Sequence, residues 1–113
     1  MEYWEIHVSG EPVKELQRAI NTYYGYQKLT VDGFFGRLTE TACPTLNKGN
    51  VNACVGVIQR RLKSKGYYSG QLDNCYGPAT SAAMYQYQVY RGVSNPDGIC
   101  TSIWYHALFE ILG

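Results

Sequence analysis

Three aspartates, Asp32, Asp73 and Asp97, are the residues best placed to do acid–base chemistry, because each lies in a similar loop sequence. Two carboxylates about 5 to 9 Å apart are what cleavage of a glycosidic bond requires. However, an aspartate followed by glycine is also typical of a tight turn, in which its side chain accepts backbone hydrogen bonds and the glycine adopts positive φ. The shared loop context favours a turn-forming role for all three.

A thiol nucleophile paired with a histidine base is the other chemistry that the residue types allow, since the chain has four cysteines, His7 and His106. No third residue that would orient the base is evident, which argues against such a site. The cysteines show no Cys-x-x-Cys spacing, so neither metal nor cofactor is predicted. Free thiols are favoured. Two disulfide pairings stay open, Cys75 with Cys100 and Cys43 with Cys54.

An internal repeat determines where these residues lie. Segment 13–20 resembles segment 55–62, and downstream of each the pair Asp32-Gly33 recurs as Asp73-Asn74. A third, partial copy is Asp97-Gly98. Self-similarity of this kind indicates one structural unit used more than once. We therefore predict that helices and Asp-Gly loops alternate along the chain.

Apolar spacing and helix-boundary residues predict the helices. Val13 and Ile20 fall on one face of the first helix, which Gly25 ends. Within the helices, Gln17 and Gln59 are expected to be buried amides that bond to loop backbone. The predicted fold class is all-α, a small helical bundle of about five helices. These helices span 12–24, 36–43, 51–65, 78–91 and 101–112.

The length of the chain argues that its repeats share a core. A unit of about 50 residues buries too little surface to be stable alone, and the whole chain has 113 residues. We predict an N-terminal arm or linker end at 1–11, a first, truncated repeat at 12–49 and a second, complete repeat at 50–113. The sequence is thus interpreted as one and a half copies of a tandem unit.

Charge and hydropathy exclude two classes of partner. Ten basic and nine acidic residues give a formal charge of +1, and the only dense basic run, 60–65, is expected to be a solvated helix face. This is too little for a nucleic-acid surface. No apolar stretch is long enough to insert in a membrane, and the first residues, 1–4, lack the features of a signal peptide.

Aromatic residues are unusually abundant, with eleven tyrosines and two tryptophans. Such side chains stack on flat apolar surfaces, including sugar rings, and form hydrogen bonds at their polar ends. Those at core-facing positions are predicted to pack inside: Tyr24, Phe35, Tyr76, Tyr87 and Trp104. Of those at loop or off-core positions, some are expected to be exposed and able to stack on a ligand: Tyr26, Phe34, Tyr67, Tyr68, Tyr85, Tyr90 and Tyr105.

The order of motifs resembles that of the peptidoglycan-binding domain family. The motifs are Leu16-Gln17, Gly25-Tyr26, the segment 31–36 and Thr39, restated as Ile58-Gln59, Gly66-Tyr67, Leu72-Asp73 and the segment 76–80. The second copy continues as the family does through Trp104 and Leu108, whereas the first lacks this last third. Two positions depart from the family pattern. Asn74 replaces the usual glycine, and by direct count Tyr105 occupies the usual tryptophan position.

The resemblance implies a non-catalytic module that binds peptidoglycan through its glycan strand, its stem peptide or both. It implies a covalently linked wall hydrolase, such as the endolysin or autolysin of a bacteriophage or Gram-positive bacterium, acting at the cell wall. The alternatives are a protein-interaction or assembly module and a cryptic wall hydrolase. The residues expected to contact the ligand are exposed aromatic and polar side chains: Tyr26, Phe34, Arg37, Tyr67, Tyr68, Tyr90, Arg91, Asn95 and Tyr105.

Overall fold

The computed structural model describes residues 11–109, and its helices confirm the all-α prediction. They are α1 (Glu11–Tyr24), α2 (Arg37–Ala42), α3 (Ala53–Ser64), α4 (Pro78–Tyr90) and α5 (Ser102–Phe109). Two isolated antiparallel bridges, Leu46 with Cys100 and Val51 with Cys75, join the loops between them. Most of the predicted arm at 1–11, with His7, and the predicted end of the last helix at 110–112 lie outside the described residues.

Local sequence explains where the helices begin and end. Asn52 caps α3, because its side chain accepts hydrogen bonds from the backbone N–H groups of Cys54 and Val55. Pro78 lies in the first turn of α4, where its missing N–H removes no helical hydrogen bond. After α1, α3 and α4 the chain reverses at glycines with positive φ, Gly25, Gly66 and Gly92.

The centre of the core lies between α1 and α3, which pack against each other. Leu16 and Ile20 of α1 and Ile58 and Leu62 of α3 are fully buried there. The other helices are added around this pair, with α5 contacting both α2 and α3, and α4 contacting α3. Burial of apolar side chains from all five helices makes residues 11–109 one structural unit with a shared core.

The basic run of α3 differs in part from the solvated face that its sequence predicts. Arg60 forms a 2.7 Å ion pair with Glu15 of α1 across an exposed surface. Arg61 is half-buried: its Nε and Nη2 atoms donate hydrogen bonds of 3.2 and 3.1 Å to the Leu108 carbonyl oxygen, and its guanidinium lies 5.1 Å from the Phe109 ring centroid. Desolvation lowers the pKa of Arg61. This arginine therefore joins α3 to the last described turn of α5.

Three of the five aromatic residues predicted for the core are fully buried, namely Phe35, Tyr76 and Tyr87. The prediction is wrong for Tyr24, whose ring is 36% exposed while its hydroxyl donates a 3.1 Å hydrogen bond to the Ala42 carbonyl. Trp104 is only partly buried and packs against the edge of the core. The polar end of an amphipathic aromatic side chain can form its hydrogen bond at the protein surface, as the Tyr24 hydroxyl does. The ring then lies between the core and the solvent.

Candidate functional site

Loop 71–77 is held in place by a buried glutamine of α3. The two N–H groups of Gln59 Nε2 are shared among three acceptors, Asp73 Oδ1 at 3.0 Å, the Cys75 carbonyl oxygen at 2.9 Å and Thr80 Oγ1 at 2.9 Å. Its Oε1 accepts a hydrogen bond from the Asn74 N–H at 3.2 Å. Because the amide is completely buried, these bonds satisfy groups that would otherwise lack partners.

The same arrangement occurs in two more loops. In the loop after α1, Gln17 bonds to Asp32 Oδ1 and Thr39 Oγ1 and accepts from the Gly33 N–H. In the loop after α4, Gln88 Nε2 donates to Asp97 Oδ1 at 3.1 Å, and its Oε1 accepts from the Gly98 N–H at 2.8 Å. The expected roles of Gln17 and Gln59 are confirmed. The third glutamine, Gln88, was not foreseen, although the Asp97-Gly98 pair signals its loop.

Each of the three aspartates shapes backbone in its turn. Asp32 Oδ1 accepts from the Phe34 N–H, Asp73 Oδ1 from the Cys75 N–H and Asp97 Oδ1 from the Ile99 N–H. The following residues, Gly33, Asn74 and Gly98, have φ values of 77°, 63° and 72°. The turn-forming prediction is therefore confirmed.

Hydrogen bonds keep two of these carboxyls ionised. The Gln17 side chain and the Phe34 N–H lower the pKa of Asp32, and the Gln59 side chain and the Cys75 N–H lower that of Asp73. A carboxyl with a lowered pKa is a poor general acid at neutral pH, where glycosidic cleavage needs one with a raised pKa. The electrostatics of Asp32 and Asp73 therefore favour structure over catalysis.

Burial also makes three of the thiols unreactive. It raises the pKa of the Cys54 thiol to about 12 and raises the pKa values of Cys43 and Cys100 above their usual range. The thiolate is the nucleophilic form of cysteine, so these side chains stay protonated at neutral pH. All four cysteines are free thiols in the structure, and Cys75 is exposed. In the range 11–109, no cluster of three or more His, Cys, Asp or Glu side chains could hold a metal ion.

A groove of about 500 Å³ lies beside the first of the three loops and runs along α2. We call it the α2 groove. Gln17 and Asp32 lie in its wall, so the hydrogen bonds that hold the loop also fix the groove. Its cationic and apolar lining comes from the loop and from α2: Lys28, Leu29, Phe34, Arg37, Leu38 and Ala42. Two of the predicted ligand-contacting residues, Phe34 and Arg37, therefore lie in one concave site.

Tyrosines continue the α2 groove on one side. The ammonium of Lys28 lies 5.1 Å from the centroid of the Tyr24 ring, and Tyr24 contacts Tyr26 edge to face at 6.2 Å. Tyr26 is 59% exposed, and Tyr23, whose ring contacts Tyr24 edge to face at 5.1 Å, is also exposed. The groove thus opens onto aromatic surface at the end of α1.

A second surface is built around the buried ring of Tyr87 in α4, and we call it the Tyr87 patch. Tyr67 lies 5.4 Å from that ring, Trp104 6.0 Å and Tyr90 6.4 Å, measured between centroids. Tyr87 donates its hydroxyl to the Ala107 carbonyl and accepts a 3.1 Å hydrogen bond from Arg91 Nη1. The structure thereby brings together three predicted site residues: Tyr67, Tyr90 and Arg91.

Exposure differs strongly among the members of the Tyr87 patch. Tyr90 is 68% exposed, Arg91 is exposed, and Tyr67 and Trp104 are half-buried. Asn95, another predicted contact, is exposed in the loop that follows α4. The patch therefore presents one highly exposed ring, that of Tyr90, next to the packed rings of Tyr67 and Tyr87.

Two of the predicted ligand contacts are wrong, because the structure buries them. Tyr68 is 7% exposed, and its hydroxyl donates to the Gln71 carbonyl. Tyr105 is fully buried, and its hydroxyl donates a 2.6 Å hydrogen bond to the Pro44 carbonyl. In each case a backbone acceptor inside the protein satisfies the hydroxyl, so burial of the ring leaves no polar group unpaired. Neither ring face is accessible to a ligand.

Comparison with known protein families shows to which family the second half of the chain is similar. The sequence profile of the peptidoglycan binding domain matches residues 52–108, which include α3, α4, all of α5 except its last described residue, two of the glutamine-held loops and the Tyr87 patch. The chain belongs to the peptidoglycan-binding domain family. No curated protein sequence matches the chain significantly.

A solved structure supports the fold of this family member. The crystal structure of the SleB N-terminal domain is similar, with a TM-score of 0.55 and 28% sequence identity. The similarity covers 57% of this chain and 88% of that one. The α2 groove is built from residues 17–42, all of which lie outside the part that the family profile matches. No helix in the described part of the chain is both long and apolar enough to cross a membrane.

Proposed function

We propose that this chain is a non-catalytic module that binds bacterial peptidoglycan and holds an attached lytic enzyme, such as an endolysin or autolysin, at the cell wall. The observation that carries this proposal is the Tyr87 patch, which lies within the part of the chain that belongs to the peptidoglycan-binding domain family. An exposed ring fixed on other rings suits stacking against the flat face of a sugar, because little side-chain freedom is lost on binding.

We propose that the module has no catalytic activity because of the protonation states of its aspartate and cysteine side chains. Asp32 and Asp73 are held as carboxylates by hydrogen bonds that also form the turns. The buried thiols of Cys54 and Cys100 are held in the neutral form. Neither set supplies the raised carboxyl pKa or the activated thiolate that wall cleavage would use.

Multivalency explains how a small surface can suffice for targeting. A wall presents its ligand many times, and tethering raises the effective concentration of a linked catalytic domain. We propose that the truncated repeat at 12–49 and the complete repeat at 50–113 each contribute contacts, the first through the α2 groove and the second through the Tyr87 patch. As part of the same proposal, the chain comes from a bacteriophage or a Gram-positive bacterium and acts on the outer side of the cell.

Co-sedimentation with purified, protein-free sacculi tests the proposal. We expect the chain to be retained in the pellet, and Tyr90→Ala to weaken this retention by about five- to tenfold because a stacking ring is lost. Tyr85→Ala is the matched control: Tyr85 is also an exposed tyrosine of α4, and it has no ring contact with the Tyr87 patch. Thermal melting should show both variants folded.

Three results would count against the proposal. Failure of the unaltered chain to co-sediment would favour an interaction or assembly module built on the same helices. Release of dye from labelled walls by the chain alone, abolished by a Cys or Asp substitution, would instead identify a hydrolase. Equal loss of retention in Tyr90→Ala and Tyr85→Ala would show that the Tyr87 patch is not the contact surface.

A further inference from the structure

The α2 groove is open in the first repeat, whereas a tyrosine closes the corresponding place in the second repeat. We propose that the α2 groove binds N-acetylated sugar rings of the glycan strand, with the apolar face of a ring against Phe34 and Leu38. This inference rests on the proposed function and specifies which part of peptidoglycan the truncated repeat recognises. It concerns residues outside the segment that the family profile matches.

Tyr68 is the side chain that closes the second repeat. Its ring is buried, its hydroxyl donates a 2.5 Å hydrogen bond to the Gln71 carbonyl, and the hydroxyl oxygen lies 3.4 Å from Gln59 Nε2. The end of the ring lies directly on Gly70, where an added Cβ would be 2.7 Å from the hydroxyl oxygen. The ring therefore fills the space between α3 and the start of the loop.

The first repeat lacks this closing ring. The residues that correspond to Gln59, Gly70 and Gln71 all line the α2 groove, namely Gln17, Leu29 and Thr30. The position of Tyr68 is taken by Gln27, whose side chain is exposed. Leu29 is buried and fills part of the space that the tyrosine occupies, yet about 500 Å³ stays open. This volume is within the range of small-ligand sites.

The apolar wall of the α2 groove is not needed to hold the turn. The second repeat forms the same turn with Cys75 where the first has Phe34, and the helix after it has Ala79 where the first has Leu38. The Phe34 ring lies over Gly36, since a Cβ placed there would be 3.5 Å from the ring Cδ1 atom. Leu38 is 79% exposed. An accessible ring beside an exposed leucine suits the apolar face of a sugar.

Charge in the α2 groove favours an uncharged ligand, because the charged side chains of its lining already have contacts within the protein. Asp32 accepts a hydrogen bond from Gln17 Nε2 at 2.9 Å. The Lys28 ammonium lies 5.1 Å from the centroid of the Tyr24 ring. Arg37 also has an interaction within the protein. A glycan strand offers neutral hydroxyl and N-acetyl groups, whereas a stem peptide brings ionised carboxylates that lose hydration on entering a groove.

The remaining lining supplies partners for both kinds of glycan substituent. Thr41 Oγ1 donates to the Arg37 carbonyl at 2.8 Å, so its oxygen is left to accept a hydrogen bond from a sugar hydroxyl. Thr30 places a second hydroxyl in the lining. Leu29 and Ala42 form an apolar surface that suits the methyl of an N-acetyl group. The groove thus combines the contacts that an N-acetylated sugar requires.

Titration of the ¹⁵N-labelled chain with three soluble probes tests the assignment, because amide shifts report the α2 groove separately from the Tyr87 patch. The probes are chitotetraose, which is built of N-acetylglucosamine, cellotetraose, which has hydroxyls in place of the N-acetyl groups, and a synthetic stem pentapeptide. We expect chitotetraose to shift the amides at 34–38. Cellotetraose should bind there more weakly by about fivefold, and the pentapeptide should leave these amides unchanged.

Gln27→Tyr combined with Leu29→Gly should close the α2 groove, since the second repeat packs this pair of residues in the same loop. We expect this variant to lose the chitotetraose shifts at 34–38 and to keep any shifts around Tyr67 and Tyr90. A dispersed amide spectrum shows that the variant is folded.

Leu38→Ser tests the groove without altering its closed side and, because the side chain is exposed, should keep the fold. It is expected to weaken chitotetraose binding at 34–38 by about fivefold. Leu72→Ser, which changes an exposed leucine outside the α2 groove, is the matched control and should leave this binding unchanged.

Three outcomes would overturn the inference while the proposed function stands. Chitotetraose could shift only the amides around Tyr67 and Tyr90, the pentapeptide could shift those at 34–38 in its place, or the closed variant and Leu38→Ser could bind chitotetraose as the unaltered chain does. Failure of the unaltered chain to co-sediment with sacculi would instead defeat the proposed function.

Discussion

Replacement of Gln88 with leucine is expected to lower the free energy of unfolding by about 3 kcal/mol. Leucine has a similar volume, so the cost comes mainly from lost hydrogen bonds and not from a cavity. The carbonyl of Ile99 and the N–H groups of Asp97 and Gly98 all bond to the Gln88 amide at 2.8 to 3.0 Å. Without it, these groups lose their partners beside the core.

Gln86→Leu is the matched control for this measurement. Gln86 lies two positions earlier in α4 and is exposed, so the same substitution should change the free energy of unfolding by less than about 0.5 kcal/mol. Urea unfolding followed by circular dichroism compares the two variants under identical conditions. Equal stabilities of Gln88→Leu and Gln86→Leu would show that the glutamine-held loop does not stabilise the fold.

Substitution of Gly98 by alanine should have a similar effect, also about 3 kcal/mol, for a different reason. Gly98 has a φ of 72°, which costs an L-residue about 1 kcal/mol. In addition, the new Cβ would lie 2.8 Å from the Ser81 carbonyl oxygen and 2.7 Å from its Oγ. The backbone of α4 must move to relieve this contact. Such overpacking lowers the free energy of unfolding by a further amount of about 1 to 3 kcal/mol.

Gly92→Ala separates the two parts of that cost. Gly92 has a φ of 79°, but a Cβ there would meet nothing within 4 Å. We therefore expect only the conformational cost, about 1 kcal/mol, in the same unfolding measurement. If Gly98→Ala is no less stable than Gly92→Ala, loop 92–101 does not approach α4 as closely as described.

The fold was accessible from the sequence because its signals are local. Helical spacing in α1, the Pro78 start of α4 and the glycine stops after α1 and α3 each act within a few residues. Both bounds of α2, α3 and α4 fall within two residues of their predicted positions, as do the bounds of α1 and the start of α5. The start of α3 was placed too early because the capping role of Asn52 was not recognised.

Gln88 was missed because the third loop is shorter than the other two. Gln88 lies 9 positions before its bonded aspartate, Asp97, whereas Gln17 and Gln59 lie 15 and 14 positions before the aspartates to which they bond. A search for the spacing of the first two copies therefore passes over it. In addition, α4 follows the second loop and precedes the third, so it belongs to two helix–loop–helix units at once. Dividing the sequence into units that share no helix hides the role of α4 in the third loop.

The site was only partly predictable, because exposure of a tyrosine depends on distant partners. Tyr105 is buried against the Pro44 carbonyl, 61 positions away, and no local pattern reveals that acceptor. The α2 groove depends in the same way on residues brought together by folding. Lys28 and Leu38, which are absent from the predicted contacts, line it together with Phe34 and Arg37, which were predicted.

Nuclear magnetic resonance with soluble muropeptides from digested peptidoglycan tests the central claim of wall binding most directly. During titration of the ¹⁵N-labelled chain, we predict amide shift changes in two places, along 34–38 in the α2 groove and around Tyr67 and Tyr90 in the Tyr87 patch. Amides of the exposed face of α3, at Arg60 and Lys63, should stay unchanged. Spectra without any change at saturating muropeptide, or changes confined to that α3 face, would contradict the account.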